Sequence, residues 1–262
     1  MSASRAVTSA LLLAAACSRR PDVPILTYHS ISAATDGFSV GEPAFHAQLD
    51  ALRGAGFRTL SFHDWLASAD RGVAPPRDAI VLTFDDGYED AYSAVLPALR
   101  VRGMRATFFL VTSLIGPDAA HRVVREEGGA RRAYLVWPEV RALAAAGMEI
   151  GSHGVTHRRL ADLDRDQVRD ELVRSKQQLE SMLGTPIEIF AYPYNSLRRW
   201  MLPLVRDAGY RAAVAGSAHG SADRFALYRI GVYRGTTTEA LLARLPKPLA
   251  AVPSGTPLAQ PH

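Results

Sequence analysis

Cysteine is nearly missing from this chain, with one residue, Cys17, in 262. A lone thiol closes no intrachain disulfide, so an oxidising compartment is tolerated but adds no covalent staple. Lysine is almost as scarce, two against 28 arginines, a bias we attribute to the codon pool. There is no basic helix and no basic patch interleaved with aromatics, and the net charge is only +4, which argues against nucleic acid as a partner. A long apolar run is absent too. The stretch Ala10-Leu11-Leu12-Leu13-Ala14-Ala15-Ala16 falls far short of the ~20 residues a membrane-spanning helix needs.

With Arg5 ahead of it, that stretch reads as an export signal over residues 1–16. It ends at Cys17, and Leu13-Ala14-Ala15-Ala16-Cys17 resembles a bacterial lipobox, although a larger aliphatic residue is usual where Ala14 stands. The expectation is an exported envelope protein, a periplasmic lipoprotein anchored to the membrane by acyl chains on Cys17. Ser18 follows the cysteine where an aspartate would signal retention, so by analogy with bacterial sorting rules the outer membrane is expected where the cell has one. Cleavage leaves 246 residues, enough for one large α/β domain and no second one. Residues 17–23 read as a linker, 24–245 as the domain, and 246–262, rich in proline and small residues, as a flexible tail.

Within the domain a helix, glycine, strand pattern repeats. Helical stretches end at Gly56, Gly103, Gly147 and Gly209, each followed by a β-rich run at 57–60, 106–111, 148–150 and 210–214. Further strands are expected at 25–28, 80–84, 187–191 and 228–233. Such alternation argues a parallel sheet, open or closed. The longest helix, 165–183, carries an apolar face on a charged background and reads as scaffold. Residues 113–133 show weak periodicity and suit either a groove lining or a surface insertion. Trp65, Trp137 and Trp200 read as packed rings rather than ligand platforms.

Two strings carry the chemistry: Thr83-Phe84-Asp85-Asp86-Gly87-Tyr88 and Gly151-Ser152-His153-Gly154-Val155-Thr156-His157. Each follows an apolar run, so both sit where a strand emerges into a loop, the position α/β proteins use for their sites. Two histidines four apart face one side if the backbone takes a helical turn, and Gly151 and Gly154 allow sharp bends. A zinc-type site takes three protein ligands and keeps one position open. One carboxylate of Asp85 and Asp86 would complete the set, and the other would be free to take a proton.

These strings, with Phe190-Ala191-Tyr192-Pro193-Tyr194, resemble the polysaccharide deacetylases of carbohydrate esterase family 4, the NodB homology domain. The resemblance runs from about residue 24 to about 234. The opening Pro24-Ile25-Leu26-Thr27-Tyr28-His29 is similar to the Tyr-His subgroup containing exopolysaccharide and poly-N-acetylglucosamine deacetylases. It implies a single-domain α/β fold, a distorted (β/α) barrel. It also implies Asp85 as general base, Asp86, His153 and His157 as metal ligands, and the Tyr194 backbone N–H as an oxyanion donor. One divalent ion is expected, zinc by default, with cobalt, nickel or manganese able to serve.

The chain departs from that family in two places. Ala191 stands where an arginine usually orients the base, so something else must hold Asp85. The late Leu-x-His motif that supplies the general acid is also absent, its stretch reading Leu227-Tyr228-Arg229-Ile230-Gly231-Val232. The Tyr-His subgroup points instead to His29 as the acid, with His219 as second candidate. The implied activity is metal-dependent removal of N-acetyl groups from hexosamines of an envelope or extracellular polysaccharide. An O-acetyl esterase and a catalytically silent sugar-binding lipoprotein are the rivals.

The anchor is testable from the sequence alone. Cys17→Ser should abolish lipidation and leave the precursor uncleaved or the protein soluble, read by acyl labelling and membrane fractionation. Equal solubility of wild type and variant in the envelope fraction would remove the lipoprotein.

Overall fold

A computed structural model describes residues 23–216 and 223–246. Cys17, the export signal, His219 and the tail beyond 246 lie outside the described residues. The chain forms β1 (Ile25–Tyr28), β2 (Ser30–Ile31), β3 (Ser39–Val40), α1 (Glu42–Gly54), β4 (Arg58–Thr59), α2 (Phe62–Asp70) and β5 (Ala79–Phe84). A π-helical turn leads into α3 (Leu96–Arg100), followed by β6 (Thr107–Leu110), β7 (Val124–Glu127), β8 (Ala130–Ala133), α4 (Trp137–Ala145), β9 (Glu149–Ser152) and α5 (Arg165–Leu183). Then come β10 (Ile189–Ala191), α6 (Leu202–Asp207), β11 (Ala212–Ala215), β12 (Leu227–Tyr228), β13 (Ile230–Gly231) and α7 (Thr238–Ala243). No helix among the described residues is long and apolar enough to cross a membrane.

Eight strands pair in parallel in the order β12-β11-β10-β9-β6-β5-β1-β13. The two ends of that path are consecutive in sequence, separated by Arg229 alone. Val214 and Ala215 pair with Leu227 and Tyr228, whereas Leu26 and Thr27 pair with Ile230 and Gly231. One run of chain therefore joins both ends of the sheet and nearly closes a (β/α) barrel with flanking helices. The strand expected at 228–233 is broken for this reason: its pairing partner changes from β11 to β1 at Arg229. The strand expected at 57–60 shrinks to β4, which pairs with β5 alone.

Period-two alternation places each strand's side chains in two cores. Ile25, Val81, Phe109, Ile189, Ala191, Val214 and Leu227 fill the barrel interior, plugged at one end by Phe62 and Leu66 of α2. Their alternate neighbours Leu26, Leu82, Phe108, Ile150, Phe190 and Ala213 pack outward against the helices. The helix-terminal glycines behave as expected, with φ of +89, +64, +81 and +85° at Gly56, Gly103, Gly147 and Gly209. Gly151 has another job from the bend expected of it. It lies within β9, and a Cβ there would stand 2.5 Å from the Phe109 ring, so its lack of a side chain admits that ring into the barrel.

Residues 113–133 are neither featureless nor a regular helix. They include the antiparallel hairpin β7–β8, whose Arg132 is salt-bridged to Asp36 with both side chains buried. Trp137 and Trp200 pack on the outer core and Trp65 on the inner one, as the sequence suggests.

Candidate active site

Tyr28, Phe84, Leu110, Ser152, Ala191 and Gly231 all end strands at the same rim of the barrel, so the loops that follow converge. They enclose a cavity of about 270 Å³ that Asp85, Asp86, His153, His157, His29 and Tyr194 line together. His153 follows β9 directly, and its Nδ1 lies 2.8 Å from the carbonyl oxygen of Ala191. A carbonyl only accepts, so Nδ1 carries the hydrogen and the Nε2 lone pair is turned toward Asp86, whose Oδ1 is 3.4 Å away. His157 Nε2 approaches the same oxygen at 3.1 Å. The Tyr194 hydroxyl sits 3.3 Å from Nδ1 of His157, placed to accept its proton, and the two rings stack at 4.6 Å.

The segment 153–157 does not form the helical turn considered for it. Gly154 (φ +82°) and His157 (φ +58°) wrap the backbone instead, and the side chain of Glu171 fills the loop so made. Its carboxylate accepts the N–H of Val155 at 2.6 Å, the N–H of Thr156 at 3.0 Å and the Thr156 hydroxyl. Glu171 belongs to α5, so the helix read as scaffold also positions both histidines.

Asp86, His153 and His157 offer ligand atoms that all lie within 4.8 Å of one another. The donor set, two imidazole nitrogens with one fixed tautomer and one carboxylate, fits a divalent ion. Burial disfavours charge on Asp86, but in the metal-free site hydrogen bonds donated by the protonated imidazoles of His153 and His157 outweigh it and hold the carboxyl well below its ordinary range.

Asp85 is held otherwise. Arg229 donates from Nη1 to Oδ1 and from Nη2 to Oδ2, both at 2.7 Å, a bidentate pair almost wholly out of solvent. Nη1 also reaches the Thr83 hydroxyl at 3.2 Å, which in turn donates to the Leu26 carbonyl. Burial opposes charge on Asp85, yet Arg229 and His153 overcome it, so the carboxyl stays below its usual range and remains an ionised proton acceptor. Ala191 faces the same interior as Arg229, so the cation lacking on β10 arrives from the strand that closes the barrel. Arg229 falls in none of the motif strings, so its role is not marked in the sequence. The available signal was a charged residue alternating with Leu227, Ile230 and Val232 in a buried strand.

His29 lies at the end of β1 against the cavity, its Nδ1 buried without a hydrogen-bond partner. The hairpin contributes Glu127 and Arg132 to the lining, which sequence reading left open. Glu127 accepts from the Tyr88 hydroxyl at 2.9 Å and the Tyr134 hydroxyl at 2.5 Å. Among the described residues four non-glycine positions have left-handed φ: Asp86, His157, Tyr194 and Asn195. All four line this cavity. Such backbone is costly and persists where surrounding structure enforces it, as at functional sites.

The family model for polysaccharide deacetylases matches residues 72–213, more than half of the chain. The chain belongs to that family. It is 28% identical over 221 residues to YxkH of Bacillus subtilis, which carries a polysaccharide deacetylase name, covering 83% of this chain and 74% of that one. It is 25% identical over 218 residues to the poly-beta-1,6-N-acetyl-D-glucosamine N-deacetylase of Escherichia coli, covering 71% of this chain but about a third of that enzyme's length (32%). The fold matches the Streptococcus pyogenes deacetylase PplD with a TM-score of 0.73 at 24% identity, over 86% of this chain and 98% of that one. IcaB from Ammonifex degensii matches at 0.71 and 20%, over 84% and 95%.

The ion pair can be tested without any substrate. Arg229→Met should cost about 3–5 kcal/mol in chemical denaturation, because it strands a buried carboxylate. Adding Asp85→Asn should recover much of that loss, and strictly additive costs would show that the two side chains are not coupled.

Proposed function

We propose that this protein is a metal-dependent N-deacetylase acting on hexosamine residues of an envelope or extracellular polysaccharide. The observation that carries the reading is an ionised carboxylate, Asp85, clamped beside a three-donor set and not consumed by it. In this reading Asp86, His153 and His157 hold a divalent ion, zinc by default. When bound, that ion supplies Lewis acidity toward the acyl oxygen and the attacking water.

Asp85 takes the proton from the water as it attacks the acetyl carbonyl, and Arg229 keeps its two oxygens oriented throughout. The negative charge that develops on the acyl oxygen receives the Tyr194 N–H as a donor, presented by the left-handed backbone of that residue. His29 gives a proton to the departing nitrogen, because an amide nitrogen expelled as an anion would be prohibitively basic. The products are acetate and a free amine on the sugar. A silent sugar-binding protein is suggested by the missing arginine at Ala191 and the missing late histidine; Arg229 meets the first need, and His29 is the candidate for the second. The names of the N-acetylglucosamine deacetylases among the relatives support an amide rather than an ester substrate. Cys17, outside the described residues, would tether the domain near such a polymer at the envelope.

The decisive measurement is acetate release from N-acetylated and O-acetylated oligosaccharides by metal-reconstituted protein. Release from the O-acetylated set alone would overturn the amide reading. Asp85→Asn should keep its metal and lose about 10²-fold or more in turnover. Loss of metal in Asp85→Asn, with Asp86→Asn retaining it, would exchange the two roles. His29→Ala should keep its metal and lose amide hydrolysis steeply, while an activated ester with a good leaving group suffers much less. Equal losses on both substrates would make His29 structural.

A further inference from the structure

Charge is not spread evenly over the barrel. Three loops, residues 50–58, 70–79 and 99–106, feed β4, β5 and β6 from the rim opposite the site. Together they carry seven arginines and three aspartates, a surplus equal to the +4 of the entire chain. Other arginines already take up the aspartates: Asp78 pairs with Arg58 at 2.6 Å, Asp50 with Arg102 at 2.8 Å, and Asp70 with Arg224 at 2.8 Å and with Arg211. Arg53, Arg71, Arg77, Arg100 and Arg105 are exposed, and none of them enters an ion pair among the described residues. Arg53 and Arg100 stand in the last turns of α1 and α3, where the helix dipole favours a cation, but Arg77 and Arg105 lie beyond any helix end and have no such reason to be there.

The three loops form one surface. The Arg105 N–H donates to the Thr59 hydroxyl at 2.9 Å, the Arg58 N–H to the Asp78 carbonyl at 2.8 Å, and the Arg102–Asp50 pair joins α3 to α1. Val73 and Val101 on the same loops are 53% and 76% exposed. The chain also enters the barrel at this rim. Val23 is buried against Phe62 and Leu66 of α2, and the Phe62 N–H donates at 2.9 Å to Glu149, the first residue of β9. Cys17 lies six positions before Val23, a reach of at most about 20 Å.

We propose that this arginine-bearing rim docks on an anionic phospholipid surface, so that the barrel stands on the membrane with its site turned away from it. The inference goes beyond the deacetylase reading and does not depend on it. Unpaired guanidinium groups on one face are drawn to a sheet of lipid phosphates, and exposed valines beside them can enter the headgroup layer. A lipid surface is favoured over a soluble acidic polymer because the chain start, with Cys17 close before it, leaves from the same rim. An acyl anchor there and the arginines would face one bilayer and supply the two signals that stable attachment needs.

The test uses the full chain carrying Cys17→Ser, so that no acyl group contributes and residues 1–16 are common to every variant. Sedimentation with phosphatidylethanolamine–phosphatidylglycerol vesicles measures binding. Arg53→Gln, Arg71→Gln, Arg77→Gln, Arg100→Gln and Arg105→Gln should each weaken it about fivefold at low salt. Arg131→Gln and Arg174→Gln, exposed on β8 and α5 away from the patch, are the controls and should change it little. The differences should vanish on phosphatidylcholine vesicles and shrink in about 0.5 M salt. Cys17 is the sole cysteine, so a polarity-sensitive dye on Val101→Cys reports that position alone. It should blue-shift on anionic vesicles, while the same dye on Arg131→Cys, in the hairpin at the site rim, should not.

Unaltered vesicle binding when all five arginines are replaced, with the melting temperature intact, overturns the docking surface. Equal losses in Arg131→Gln and Arg174→Gln overturn it too, as does a dye that shifts at Arg131→Cys and not at Val101→Cys. Release from anionic vesicles by a small excess of polyglutamate would assign the patch to an acidic polymer instead. Acetate release by a chain whose arginines do not bind vesicles sinks the docking surface alone. Arginine-dependent vesicle binding by a chain that releases no acetate sinks the deacetylase reading alone.

Discussion

Inside the barrel two opposite charges, Arg229 and Asp85, are removed from water together, and each is tolerable there only because of the other. Taking a carboxylate and a guanidinium out of water costs several kcal/mol each, recovered only by good geometry and full hydrogen bonding. The two parallel 2.7 Å contacts supply that geometry, and Thr83 takes part of what remains. The pair also fixes where the barrel can close. Arg229 occupies the single position at which the last strand leaves β11 for β1, so the residue that satisfies the buried acid sits where the sheet's two ends meet. Small residues make room around it: Ala191 on β10, and Gly151 on β9, which lets Phe109 lie beneath the guanidinium.

Much of this was legible in the sequence. The two motif strings announced the acid pair and the histidines because tight spacing in short loops leaves little freedom for their placement. The glycine-terminated helices announced the parallel alternation, and β1 matches its expected bounds. What stayed hidden depends on contacts between residues far apart in the chain. Arg229 meets Asp85 across 144 positions, and no local pattern encodes which charge will stand opposite which. Glu171 was concealed differently: on a highly charged helix one more glutamate has no distinguishing feature until its carboxylate enters the loop of another element. The hairpin at 124–133 has alternation too weak to declare itself, since both its strands are short, the first is largely solvent-facing and the one buried position of the second is an arginine.

Backbone strain is distributed with the same economy. Asp86, His157, Tyr194 and Asn195 adopt a conformation that residues with a side chain rarely take, and each turns its group toward the cavity that the others share. A local rule is broken where the site needs it, while the strands and helices around keep to their propensities. The stack of Arg159, Tyr194 and His157 shows how such positions are braced, because a planar cation, a ring and an imidazole packed face to face leave little rotameric freedom.

The position of Arg229 in the chain also has a kinetic meaning. A partly folded chain that has laid down β1, β5, β6 and β9 still carries Asp85 without its counter-ion, so the barrel interior cannot dry out until the final strand docks. Closure is therefore the step at which dehydration, sheet completion and assembly of the acid–arginine pair coincide. Contacts of such long sequence separation make that step slow relative to the local helix–strand units before it. Intermediates that lack the last strand should be wet at the centre and should bind hydrophobic dyes, while the fully wound protein does not.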